Sequence, residues 1–123
     1  MSPEYALPGP EMPVIDESRL MAEFGGDREI LAELRDLFLD HAPPLFESIR
    51  QAIADREIDV IARDGHSLKG ACATYGAPRL AMICKVVELA AKAGDWATID
   101  QHQDQFVQEY EKVFEAIGNL SVT

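Results

Sequence analysis

Residues 58–94 read IDVIARDGHSLKGACATYGAPRLAMICKVVELAAKAG, and the fold turns on this stretch. Its first half sets Ile58, Ile61, Gly65, Leu68, Cys72 and Tyr75 at steps of three and four, the spacing of one helix face. Gly76 is a natural stop, and Pro78 suits the first turn of a following helix. Leu80, Ile83, Cys84, Val87 and Ala91 then repeat the helical spacing until Gly94. Two amphipathic helices joined by so short a turn fold back on each other as an antiparallel hairpin.

Outward from the hairpin the pattern stays helical. Asp95 can cap a fifth helix whose seam is Trp96, Ile99, Gln103, Phe106, Tyr110, Val113 and Ile117. Upstream, Ile30, Leu34, Leu37, Phe38, Leu45, Ile49, Ala52 and Ile53 keep register across Pro43 and Pro44. That predicts one long helix with a proline kink, or two stacked ones. The third helix is expected to begin between Asp55 and Asp59. A short helix follows Asp16, with Leu20 and Phe24 on one face; Gly25 and Gly26 end it and Asp27 can cap the next. The fold class expected is all-α: an antiparallel four-helix up-down bundle over residues 14–120, with the short N-terminal helix covering one end. Residues 1–13 hold Pro3, Pro8, Pro10 and Pro13 and read as a flexible tail or linker.

Charge limits the partners. Eleven Lys and Arg stand against 22 Asp and Glu in 123 residues, a net charge of −11. A chain this acidic repels phosphate-rich polymers and anionic membranes, so nucleic acid and membrane insertion are not expected. No apolar run approaches the roughly 18 residues of a membrane span. The start, MSPEYALPGP, lacks the basic and apolar segments of a signal peptide, so a cytoplasmic setting is expected. Cys72 and Cys84 are read as buried free thiols on facing helices rather than a disulfide framework. His41, His66 and His102 have no metal-ligand spacing with the cysteines, and no metal is expected. His41 reads as a partly buried packing residue and His102 as solvated. Ser67 has no acid-base partner at a recognisable spacing.

The third helix carries the chemistry. His66 lies one step, about 100°, from the apolar stripe. Its neighbours at −4, +4 and +7 are Ala62, Gly70 and Ala73, all small, while those at −3 and +3 are Arg63 and Lys69. Gly70 costs a helix interior roughly 1 kcal/mol relative to Ala. It makes sense where something bulky must approach the imidazole over the next turn. A neutral imidazole is a nucleophile near pH 7, and a nearby ammonium can stabilise a transferred anionic group, so transient phosphoryl bonding fits. The other reading is a surface histidine next to a lysine by chance.

The run His66-Ser67-Leu68-Lys69-Gly70, followed by Tyr75-Gly76-Ala77, Leu80, Cys84 and Glu88, resembles the histidine-containing phosphotransfer (HPt) domain family. The resemblance covers about residues 14–118, with Gly65 and Tyr75 as departures: the family more often has Ala at the first and an aliphatic side chain at the second. It implies that His66 accepts a phosphoryl group, on Nε2, that Lys69 supports that group, and that Gly70 leaves clearance for a docking receiver domain. It implies transfer from one receiver aspartate to another in a two-component phosphorelay, with response-regulator receivers and a hybrid histidine kinase as partners. The Mg²⁺ would belong to the receiver, and this chain would hold no cofactor. A monomeric phosphoryl carrier without its own ATP site is expected rather than an enzyme, and no Gly-rich phosphate loop is present in the sequence. The alternatives are the phospho-accepting domain of a chemotaxis-type kinase and a phosphorylation-independent helical adaptor.

Two further readings bear on the site. Residues 63–94 carry five basic and two acidic side chains, net +3, in an otherwise acidic chain. Such a face would complement a receiver's carboxylate cluster; a chance charge block on a solvated face is the other reading. His66 lies ten residues before Gly76 and Glu88 twelve after it, so an antiparallel hairpin brings them to similar heights. Glu88 is then either an ordinary exposed glutamate or the acceptor for His66 Nδ1–H, holding Nε2 free.

Overall fold

The computed structural model describes residues 7–120, with side chains through Gly118. Residues 1–6, the first half of the expected tail, lie outside the described residues. Five helices follow in order: α1 Glu17–Phe24, α2 Arg28–Asp55, α3 Ile58–Tyr75, α4 Pro78–Lys92 and α5 Trp96–Leu120. There is no strand among the described residues.

Local chemistry sets most of the boundaries. The Asp16 carboxylate accepts the Arg19 backbone N–H at 3.0 Å, and Asp27 accepts those of Glu29 and Ile30 at 3.0 and 3.2 Å. These side chains satisfy donors that a helix start leaves unpaired. Asp95 caps α5 in the same way, bonding the Thr98 N–H at 3.1 Å. Gly76 ends α3 at φ 92°, a left-handed conformation that costs glycine nothing. α2 runs through Pro43 and Pro44 as one helix rather than two stacked ones. It ends on Arg56, a non-glycine residue at φ 60°. The Arg56 guanidinium is anchored: it bonds both Asp100 oxygens at 3.0 and 3.1 Å and lies 4.5 Å over the Trp96 ring.

In the bundle α3 packs on α4 and α2, and α4 packs on α5. Aromatic rings bring α2 to α5: Phe46 stacks on Tyr110 with centroids 3.6 Å apart, and Phe38 lies 5.9 Å from Phe114. Ile49, Ile61, Leu68, Ile83, Ile99 and Phe106 are fully buried at the centre. The short α1 covers the end where α3 turns into α4. Leu20 packs on Gly76, Asp16 N–H donates to Gly76 O at 2.8 Å, and Arg19 donates to Ala73 O at 2.6 Å.

Several positions differ from the sequence reading. Ile30 and Leu37 are exposed rather than inward, because the face of α2 that meets its neighbours is centred on Phe38, Ala42, Phe46 and Ile49. His41, one step off that face, is exposed and not a packing residue. His102 is half-buried rather than solvated, its Nδ1–H donating to Thr98 O at 2.9 Å. Glu109, on the edge of the α5 seam, is buried. Arg79 meets it through Nε, at 3.1 Å from each carboxylate oxygen, and through Nη2 at 2.9 Å. The same guanidinium donates to Gly9 O and Met12 O at 2.6 and 3.2 Å, so residues 9–12 turn against the bundle.

Candidate functional site

The site begins with a close approach of two helices. Gly65 is buried, and a Cβ placed there would lie 3.6 Å from the Glu88 backbone and 3.7 Å from Cys84 O. The gap at this level has room for a methyl group and little more, so α4 runs close against α3. One residue on, His66 projects to the surface with two-thirds of its side chain exposed. Glu88 stands opposite it on α4, 2 % exposed.

The Glu88 carboxylate is the centre of the arrangement. His66 Nδ1 lies 3.0 Å from Oε2, Lys92 Nζ lies 2.7 Å from the same oxygen, and Lys69 Nζ lies 2.8 Å from Oε1. Burial alone would push the Glu88 carboxyl up. The hydrogen bonds from Lys69, Lys92 and His66 outweigh it and bring the group down from its ordinary 4.5 to about 2. The carboxylate is therefore ionised at neutral pH and can only accept. The imidazole must then donate from Nδ1, and in the neutral ring this leaves the Nε2 lone pair on the exposed edge. Glu88 is buried rather than an ordinary exposed glutamate, and its Oε2 lies within hydrogen-bond distance of His66 Nδ1.

Gly70 is exposed, and a Cβ there would meet nothing within 4 Å. On its α2 side a groove of about 300 Å³ opens, lined by Leu34, Leu37, His41, Leu45, Ser67 and Ala71 among others. The expected site residues His66, Lys69 and Glu88 thus come together, with Gly70 one turn along. Lys69 does not reach freely over the imidazole, because its ammonium rests on Glu88. Sequence reasoning missed Lys92. The signal available was its place four residues after Glu88, the favourable order for a helical ion pair.

Part of the positive balance of the hairpin is answered by neighbouring carboxylates. Arg63 bonds Asp64 at 3.1 Å, and Asp64 also accepts from the Ser48 hydroxyl on α2. Burial raises the Asp64 carboxyl, but those two bonds prevail and hold it below the usual range. Arg79 belongs to the Glu109 clasp. What remains is the excess of Lys69 and Lys92 over Glu88, beside His66, and the exposed Lys85 on α4. The Cys72 and Cys84 thiols are free and fully buried; burial, then Cys72, pushes Cys84 well above the ordinary range, which keeps it an unreactive thiol. Among the described residues no cluster of three His, Cys, Asp or Glu side chains could hold a metal ion. No helix there is long and apolar enough to cross a membrane.

Residues 33–116, well over half of the chain, match the family model described as Hpt domain. No curated protein and no solved structure matches significantly.

Proposed function

The chain belongs to the Hpt domain family, whose members carry out histidine phosphotransfer in phosphorelays, and on that premise we propose that His66 is the residue that carries the phosphoryl group. The observation that supports it best is the His66–Glu88 bond. It fixes the ring with Nδ1–H inward and the Nε2 lone pair outward, over the open surface left by Gly70. In the forward step Nε2 attacks the phosphorus of an aspartyl phosphate on a receiver domain. The N–P bond forms as the P–O bond to the aspartate breaks, and the aspartate leaves as a carboxylate. Nδ1–H stays on Glu88 throughout. The reverse step on a second receiver returns the phosphoryl group to oxygen. In-line transfer needs reacting atoms within about 3–3.5 Å, which the small neighbours Ala62, Gly70 and Ala73 permit.

Lys69 is the residue that would steady the phosphoryl oxygens, by turning its ammonium from Glu88 toward them. The chain acts as a monomeric carrier with an antiparallel up-down arrangement of α2 to α5. It works in the cytoplasm, has no ATP site of its own, and relies on a Mg²⁺ held by the receiver. The test is transfer from a radiolabelled phospho-receiver to the wild-type chain and to His66→Gln. Acid-labile, alkali-stable label should appear on the wild type only, with both proteins equally folded. Label on the Gln variant would refute the assignment of His66. Self-labelling of the purified chain with Mg²⁺ and ATP would refute the carrier reading.

A further inference from the structure

Glu88 Oε2 accepts from two donors at once. His66 Nδ1 is 3.0 Å away and Lys92 Nζ 2.7 Å away, so the two nitrogens lie within about 6 Å of each other. An ionised carboxylate that accepts from an imidazole favours the imidazolium, because ring and carboxylate then stabilise each other's charge. An imidazolium has no lone pair on Nε2 and cannot attack phosphorus. The bond that orients the ring therefore threatens to inactivate it.

The charges around the carboxylate resolve this. Lys92 on α4 and Lys69 on α3 both contact Glu88, so the three groups together are net positive before the imidazole is counted. Arg63, one turn before His66, is tied to Asp64, which also takes the Ser48 hydroxyl of α2. Cys84, one turn before Glu88, is a neutral thiol. Among the described residues α5 supplies no ion-pair partner to Glu88. Lys69 is expected to leave Glu88 when a phosphoryl group arrives. Lys92, which starts from the same helix as Glu88, has no such second task.

We propose that Lys92 is a positioning residue: its ammonium offsets the charge of Glu88, so that Glu88 orients the His66 ring without converting it to imidazolium. This rests on the reading of His66 as phosphoryl acceptor and adds the residue that keeps it nucleophilic. A lysine that only stabilised α4 would leave the titration of His66 unmoved.

The experiment is an NMR titration of the His66 ring in the full chain, with His41 and His102 as references in the same spectra. Lys92→Met should raise the His66 midpoint by at least about 0.5 pH unit, the effect of removing a unit charge about 6 Å away in water. Lys92→Arg should return it to the wild-type value. The rate of His66 phosphorylation by phosphoramidate, a small donor that needs no docking, should show its acid limb moved upward by the same amount in Lys92→Met. Lys92→Gln supplies the same comparison if the Met variant melts early. An unchanged His66 midpoint in a folded Lys92→Met or Lys92→Gln protein overturns the proposal. A raised midpoint in a chain that takes no phosphoryl group supports the action of Lys92 on the ring and overturns the acceptor reading instead.

Discussion

Replacing Glu88 by Gln removes one charge and almost no volume, and it isolates what the buried carboxylate contributes. The folded-state value of about 2, against an ordinary 4.5, corresponds to about 3 kcal/mol of preference for the ionised form in the folded chain. The group is 2 % exposed, so solvent screens the carboxylate itself little. Its folded pKa is depressed, so the contribution is present in full above 4.5 and disappears as pH falls from there toward 2. Urea denaturation of wild type and Glu88→Gln at a series of pH values reads this directly. The stability gap should be about 2–3 kcal/mol at pH 7 and should close toward pH 2. Taking the gap between variants removes the titration of the other carboxylates, Asp64 among them. A gap that stays constant across this range would refute the argument. It would mean that Glu88 acts through packing and that the charges of Lys69 and Lys92 are met by water.

The remaining predictions address clearance, helix contact and the clasp. Gly70→Gln should melt no lower than wild type, since helix propensity favours Gln and a Cβ at this position meets nothing, yet its phosphotransfer should be much slower because the side chain stands over the imidazole; wild-type transfer rates would defeat the clearance argument. Gly65→Ala should fold and gain up to about 1 kcal/mol from helix propensity, because its Cβ would sit in ordinary contact at 3.6 Å, whereas Gly65→Leu should push α3 from α4 and lower the thermal midpoint. Arg79→Met leaves Glu109 buried with Lys112 at 3.7 Å as its remaining cation, and should cost about 3 kcal/mol in denaturant titration. The same variant should make residues 9–12 more susceptible to proteolysis, since their carbonyls lose the Arg79 donors.

The sequence by itself determined the helices and most of their ends. Asp16, Asp27 and Asp95 cap through bonds to residues two or three along, and Gly76 turns the chain by its own freedom in φ, so neither needs a partner from elsewhere. The meeting of His66 and Glu88 was legible too, because a hairpin with a short turn converts residue counting into height. Tertiary structure decided what counting could not reach. The apolar stripe of α2 is wider than the area its neighbours cover, so Leu37 and Ile30 stay outside while Phe46 goes in. Arg56 adopts a positive φ because Trp96 and Asp100, forty and forty-four residues later at the start of α5, hold its guanidinium. Glu109 is buried because Arg79 arrives from another helix to meet it. Lys92 and Lys69 converge on Glu88 from two helices, and whether the carboxylate holds an imidazole or an imidazolium depends on both. Such outcomes are sums of charge and contact area over several elements at once. Periodicity places a side chain on a face, and the packing of the other helices decides what that face meets.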